Sequence, residues 1–288
     1  MDPEFQIDRD IELDNGKLLI GLSGWMNGCE ISTDVTDYFI DKLDAQEASF
    51  IVPDGFYIHN FPGSVETTAM FRPGTKIKGG IVQSYDEPEN IFYCDQKNNL
   101  LFLIGKEPNI RWHKYVECVF SICHQIGVKS IYFVGSVAGL VPHNREPRFF
   151  CSVSDKSLKP VMERRGVKFS DYEGPASIIT YMTAMAPEAG LNMTSIIVEI
   201  PAYVQGRNPL CLNAVIKRMA GLFELPIEHD EMEKMGEEFE KRVGQIVSEH
   251  PELANHVRRL EADYDNEVFN SEMGDLKKWL QQQGIRVD

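Results

Sequence analysis

Residues 129–148 read KSIYFVGSVAGLVPHNREPR, and the interpretation of the whole chain follows from them. Ile131-Tyr132-Phe133-Val134 is a short apolar run too continuous for a half-exposed strand, which predicts a strand buried on both faces. Gly135-Ser136-Val137-Ala138-Gly139 follows, small residues that let the backbone turn tightly and approach another group closely. Val141-Pro142-His143-Asn144-Arg145 then places polar and basic groups just past the strand's carboxyl end. In open α/β sheets ligands bind at that edge.

Outward from this stretch, the same pattern recurs. Lys17–Ser23 (KLLIGLS), Leu100–Ile104 (LLFLI) and Ser195–Ile200 (SIIVEI) are similar apolar runs, and Ala48–Val52 is a further strand. Helical spacing covers 30–43, with Ile31, Val35, Tyr38, Phe39 and Leu43 on one stripe, and 110–127, with Trp112, Tyr115, Val116, Val119 and Ile122. Further helices are expected over 154–164, 176–189 and from Asn208-Pro209 to about Leu222. Between 53 and 94, prolines and glycines predict an excursion with short strands at 77–84 and 90–94 in a local antiparallel meander. Strands alternating with helices predict an α/β fold, its mainly parallel sheet covered on both faces. From Pro226 the character changes: charged residues surround apolar stripes at Met232, Met235, Phe239, Val243 and Ile246, then at Leu253, Val257, Leu260 and Tyr264, and last at Met273, Leu276 and Leu280. These predict amphipathic helices that need a surface to bury against. The expected division is an α/β domain over 10–225 and a C-terminal helical extension over 226–288. The opening Met1-Asp2-Pro3-Glu4-Phe5 resembles a cloning remnant and is left outside the expected fold.

Composition narrows the function. A net charge of −15 disfavours nucleic acid and anionic membranes as partners. No apolar run approaches the roughly 18 residues that read as a membrane span, and no secretory signal is visible. The cysteines at 29, 94, 118, 123, 151 and 211 form no Cys-x-x-Cys pair and lack zinc-finger histidines. They read as small buried hydrophobes in a reducing cytoplasm. No metal or cofactor is expected.

The enzyme templates mostly fail. There is no phosphate-binding G-x-x-x-x-G-K-[ST] loop, and Gly21-Leu22-Ser23-Gly24 lacks the spacing of a nucleophile elbow. Ser23-Gly24-Trp25-Met26-Asn27-Gly28, between a strand and a helix, forms either an anion-binding concavity of free amides or simply a sharp turn. His143 and Arg145 could grip an anion or carboxylate; equally, His143 could bond carbonyls and Arg145 pair with Glu146 or another local acid. Glu107 and Arg111, four apart at a helix start, are expected to form a supporting pair. Trp25 and Trp112 would stack on a ligand or subunit, or belong to the core.

Taken in order, the motifs resemble the proteasome assembly chaperone 2 family from about Leu18 to Leu225. They are Gly24-Trp25-Met26-Asn27-Gly28, Phe71-Arg72-Pro73, Gly105-Lys106-Glu107-Pro108 with Arg111-Trp112, Pro142-His143-Asn144-Arg145, Tyr172-Glu173-Gly174-Pro175, Pro201-Ala202-Tyr203 and Asn208-Pro209. The resemblance implies a three-layer α/β/α sandwich of the phosphorylase/hydrolase type, assembly into homo-oligomers (a trimer favoured), and no established catalysis for most members. It also implies a role in building or docking on a proteasome core in cells that have one. The chain departs from the family at Asn27-Gly28, where Asp-Ala is usual, and at Asn144, where threonine is usual. It ends Arg286-Val287-Asp288 rather than in the hydrophobic-Tyr-any residue of docking members, so C-terminal docking is not expected.

A second expectation comes from a different class. Ser23-Gly24, the 135–140 strand end and Gly174-Pro175-Ala176-Ser177 are similar in order to the sites of purine nucleoside phosphorylases. By that analogy Ser23, Gly24 and His143 would hold phosphate, and Ala138 and Gly139 would line a base pocket. On either reading Ser23, Gly24, Trp25, Asn27, Gly28, Gly135, Ser136, Gly139, His143 and Arg145 are the candidate binding residues. Glu107, Arg111, Trp112, Gly174, Pro175, Tyr203 and Asn208 are expected to support structure.

Overall fold

A computed structural model describes residues 4–7, 11–69, 71–227 and 230–282. The chain runs through β1 (Phe5–Ile7), β2 (Gly16–Ser23), α1 (Ile31–Leu43), β3 (Gln46–Ile51), α2 (Val65–Ala69), β4 (Gly74–Lys78), β5 (Ile81–Asp86) and β6 (Asn90–Asp95). It continues through β7 (Leu100–Lys106), α3 (Trp112–Ile126), β8 (Val128–Gly139), β9 (Phe149–Val153), α4 (Lys159–Glu163), β10 (Lys168–Phe169) and α5 (Ile178–Met185). Then come β11 (Asn192–Pro201), α6 (Pro209–Phe223), α7 (Asp230–Glu249) and α8 (Pro251–Gln282). The main sheet has the order β1-β3-β6-β7-β2-β8-β11-β9-β10.

The four most apolar runs, β7, β2, β8 and β11, are neighbours at the centre of that sheet. β2 pairs in parallel with β7 on one side and with β8 on the other. The flanking strands β6, β3 and β1 pair antiparallel. Both faces of the centre are covered, which is why these strands are apolar throughout rather than alternating. Leu18, Ile20, Leu101, Leu103, Ile131 and Phe133 share one buried cluster with α3 and α5. On the other face Phe102 stacks on Phe39 of α1, with ring centroids 6.4 Å apart. Gly21 sits where α1 comes closest: a Cβ there would lie 2.3 Å from Thr36 Oγ1 and 2.7 Å from the Ser32 carbonyl oxygen. The architecture is the expected α/β/α sandwich, with helices at the C-terminus.

Three local expectations need correction, and one strand is added to them. Of the opening residues, Met1–Pro3 lie outside the described ones, and Glu4 and Phe5 belong to the fold: β1 pairs with β3, Phe5 is buried, and the Glu4 carbonyl accepts from the Val52 amide. The meander divides, because β4 and β5 form their own two-stranded sheet while β6 joins the main one between β3 and β7. The helix predicted over 154–164 shrinks to a turn at Lys156–Leu158 and α4. Asp155 fixes the start of that turn by accepting from the Ser157 amide at 2.8 Å. Residues 149–153, to which the sequence pattern assigned no element, form β9, antiparallel to β11 and parallel to β10.

The chain gathers into two compact units. The first takes its residues from 1–137 and 149–198, and the second from 138–148 and 199–288. Within the second, α6 starts at Asn208, whose Oδ1 accepts from the Cys211 amide at 3.1 Å, with Pro209 at the first helical position. Gly236 of α7 faces Leu210 of α6, and Val247, Val257 and Leu260 of α7 and α8 are buried.

Candidate functional site

In the first unit the carboxyl end of β2 meets the ends of β7 and β8. The Glu107 amide donates to the Ser23 carbonyl at 2.8 Å, and the Ser23 hydroxyl to the Gly105 carbonyl at 3.3 Å. Gly24 has a φ of +149°, and a Cβ there would lie 2.7 Å from Glu107 Oε2. That carboxylate accepts from the Trp25 amide at 2.8 Å. Asn27 caps α1: its Oδ1 accepts from the amides of Ser32 at 2.8 Å and Thr33 at 3.2 Å. Ser136 donates through its amide to the Met26 carbonyl at 2.9 Å and through its hydroxyl to the Gly28 carbonyl at 2.6 Å. Gly135 lies close beneath, since a Cβ there would be 3.0 Å from the Met26 oxygen. Cys29 and Glu30 both hold left-handed φ values, 50° and 60°, unusual for non-glycine residues and a mark of a tightly determined loop.

The structure thus brings Ser23, Gly24, Trp25, Asn27, Gly28, Gly135 and Ser136 together. The amides of Trp25, Ser32 and Thr33, however, already have acceptors in Glu107 and Asn27. Trp25 itself is 73% exposed, so its ring is presented rather than packed. The expected Glu107–Arg111 pair gives way to other partners. Arg111, at the start of α3 with φ 58°, bonds Glu4 Oε1 at 3.0 Å and lies over the Phe56 ring. Trp112 packs against the core and donates through Nε1 to the Pro108 carbonyl at 2.8 Å. Gly174 leaves room for Tyr172, whose hydroxyl donates to the Pro175 carbonyl at 3.2 Å.

In the second unit the loop after β8 is held from several sides. Gly139 accepts at its carbonyl from the Ala202 amide at 3.2 Å, and a Cβ at Gly139 would meet the Glu199 side chain at 2.9 Å. His143 is 3% exposed. Its amide donates to the Tyr203 hydroxyl at 2.7 Å, and its Nδ1 lies 2.8 Å from the same oxygen. Burial lowers the His143 pKa, opposed in part by Glu240 and Glu261; burial pushes Tyr203 up to about 12. With the imidazole neutral and its Nδ1 bare, that nitrogen accepts the hydroxyl proton while the hydroxyl oxygen accepts the amide, an arrangement in which one tyrosine satisfies two buried groups.

The rest of this loop binds α8. Asn144 Nδ2 donates to Glu261 Oε1 at 2.7 Å, and Tyr264 donates to the Glu146 carbonyl at 2.7 Å. Arg145 grips Asp265 with two bonds, Nε to Oδ1 at 2.8 Å and Nη2 to Oδ2 at 2.9 Å, which holds the Asp265 carboxyl below its ordinary pKa. Arg148 bonds Glu267 at 2.7 Å and stacks over the Tyr264 ring at 4.8 Å. The local partner considered for Arg145, Glu146, is instead 3.6 Å from Arg218 of α6. Arg145 thus pairs with a carboxylate, and that carboxylate lies on α8 and not beside it in sequence. Tyr264, Asp265 and Glu267 were absent from the sequence candidates; the signal was the acidic run beside the 253–264 stripe, with no clue to its partner. Among the described residues no group of three or more His, Cys, Asp or Glu stands close enough to hold a metal ion. No described helix is long and apolar enough to cross a membrane.

Comparison with known proteins agrees with the architecture. A Mycobacterium tuberculosis protein of unknown function superposes with a TM-score of 0.80 at 18% identity, covering 96% of this chain and 93% of its own. A proteasome-assembly chaperone homologue from the same organism gives 0.72 at 18% identity, covering 84% and 99%. The archaeal proteasome activator PbaB of Pyrococcus furiosus gives 0.61 at 13% identity, covering 84% and 98%. Likeness at these identities is likeness of fold. Among curated proteins none matches the sequence. The PAC2 family model matches residues 21–247, most of the chain, and the protein therefore belongs to the PAC2 family.

Proposed function

We propose that this chain is a non-catalytic, self-associating protein-binding protein of the assembly-chaperone kind, working in the cytoplasm. The observation that carries this reading is the state of its polar clusters. Amides and cations at the strand ends that would serve an anion are occupied by the protein itself: Glu107 and Asn27 in one unit, Asp265 and Glu267 in the other. Apolar groups, in contrast, are left on the surface, with Trp25 exposed beside the Glu107 loop. A protein that engages its own donors and presents aromatic and aliphatic surface is built to bind protein. The chaperone homologue and the proteasome activator among its structural relatives support an assembly-related partner. A homotrimer is the assembly this reading favours. Free, largely buried cysteines suit a reducing compartment.

The residues proposed to act are those of the two clusters, with Trp25 as the presented contact and His143 and Arg145 holding the loop that carries α8. On this reading residues 10–225 are the family's α/β domain and 226–288 its helical extension. Arg145→Ala tests it by titration calorimetry with inorganic phosphate and by analytical ultracentrifugation. No phosphate binding in the wild type and an oligomer altered in the variant are expected. Phosphate binding by the wild type that Arg145→Ala abolishes, with the oligomer intact, would favour the phosphorylase-like enzyme instead.

A further inference from the structure

β4 and β5 form a hairpin apart from the main sheet, turning at Gly79 and Gly80, both with positive φ, 59° and 78°. One irregularity in it sorts the side chains. Ser84 pairs with Lys76 and Val82 with Ile77, which leaves Gln83 as the extra residue of a bulge. Val82 and Tyr85, three apart, would otherwise point to opposite faces. The bulge brings both to the face of Ile77 and Thr75, their cross-strand partners. Lys76 and Lys78 stand on the other face, opposite Ser84 and Ile81. Ile77, Ile81, Val82 and Tyr85 are between 56% and 66% exposed, so the described chain leaves both faces open.

The two edges of the hairpin differ. The bulge interrupts β5, whereas β4 is an unbroken strand, exposed along its whole length from Gly74 to Lys78. Each strand of this sheet has one partner among the described residues, so alternate amides and carbonyls of β4 point away from β5. Charge then limits what can pair with that edge. Residues 71–85 contain Arg72, Lys76 and Lys78 and no acidic residue, in a chain of net charge −15. The first acid, Asp86, lies at the far end of the ribbon, opposite Gly74. A second copy of β4 is a poor neighbour: antiparallel pairing centred on Ile77 sets Lys76 against Lys78, and centring on Lys76 sets it against itself. Lysines on an edge strand discourage such pairings. Carboxylates brought to the same positions make attractive cross-strand pairs instead.

We infer that the free edge of β4 binds an extended segment of another protein in which acidic residues alternate with β-branched or aromatic ones. The added strand takes its backbone hydrogen bonds from β4. Its period of two sets carboxylates beside Lys76 and Lys78, and sets apolar residues beside Ile77, where they extend the face shared by Ile77, Val82 and Tyr85. A third strand also relieves the marginal stability of a two-stranded ribbon. The inference rests on the proposed protein-binding role and gives it a surface and a partner chemistry distinct from self-association.

The probe is a fluorescein-labelled peptide of alternating glutamate and valine, titrated by anisotropy with the full chain at up to about 1 mM. Binding is expected, and the peptide should protect amides of β4 from hydrogen exchange while those of β2 exchange as before. Lys76→Glu with Lys78→Glu should weaken binding about tenfold and make the chain take the lysine–valine counterpart instead, which a misfolded hairpin would not do. A glutamate peptide that fails to bind the wild type, equal binding of both peptides, or an affinity unchanged by the double reversal would overturn the inference. So would binding of phosphatidylserine vesicles in place of the peptide, which would make the hairpin a membrane contact. The proposed self-association is read separately, by ultracentrifugation of the wild type. An oligomer that ignores the peptide would leave that proposal standing without this edge, and a monomer that binds it would leave the edge standing without the oligomer.

Discussion

Replacing Tyr203 with phenylalanine removes a single oxygen and leaves two buried groups of His143 without partners. The hydroxyl lies 2.7 Å from the His143 amide and 2.8 Å from its Nδ1, and His143 is almost wholly buried. An orphaned buried polar group costs about 1–3 kcal/mol, and these two share one hydroxyl, so about that range is expected for the pair. The benzene ring keeps its shape, which separates the lost hydrogen bonds from a packing defect. Because His143 begins the loop whose next residues bind Glu261 and Asp265, the cost should be felt in α7 and α8 before the sheet. Hydrogen exchange resolved by segment is the assay. Opening of 230–267 should become roughly 5- to 150-fold more frequent, the factor that 1–3 kcal/mol represents. Amides of β2 and β7 should exchange as before. Unchanged protection in α7 and α8, or an equal loss in β2, would refute the idea that the His143–Tyr203 contact fastens the extension.

Three further outcomes are expected. The His143 imidazole has a pKa below its ordinary 6.5, so the unfolded chain takes up a proton that the folded chain refuses; the stability it contributes above pH 6.5 is lost as pH falls below that value, and thermal melts of wild type and His143→Gln from pH 7.5 to 5 should show a slope that the variant flattens. Gly21→Ala places a Cβ against Thr36 and the Ser32 carbonyl and should destabilise the β2–α1 packing by about 1–3 kcal/mol in urea unfolding, whereas a neutral effect would mean the helix has room to retreat. Asn27→Ala uncaps α1 by freeing the Ser32 and Thr33 amides, at a cost of about 0.5–2 kcal/mol, and Asn27→Asp should recover most of it; equal losses in both variants would show that the side-chain oxygen is not what matters.

By itself the sequence determined the architecture's centre. Strands covered on both faces must be apolar at every position, and that demand left β2, β7, β8 and β11 readable as runs of Leu, Ile, Val and Phe. Caps were readable for the same local reason: Asn208-Pro209 announces α6 because an N-cap acceptor and a proline need only their own helix. The strand-end glycines were legible as close approaches, though not what approached them. Pairings across long separations were decided only in three dimensions. Nothing near Arg145 in sequence marks Asp265, 120 residues away, as the carboxylate that would claim it. Glu107 seemed a helix-start acid until the fold set it against the Trp25 amide. β1 is a three-residue edge strand and β9, between β11 and β10, has only five residues; runs so short stand out little in sequence, and both strands take their hydrogen bonds from neighbours far along the chain. Periodicity records whether a residue is buried, and hydrogen-bond partners are chosen by where the backbone has carried them.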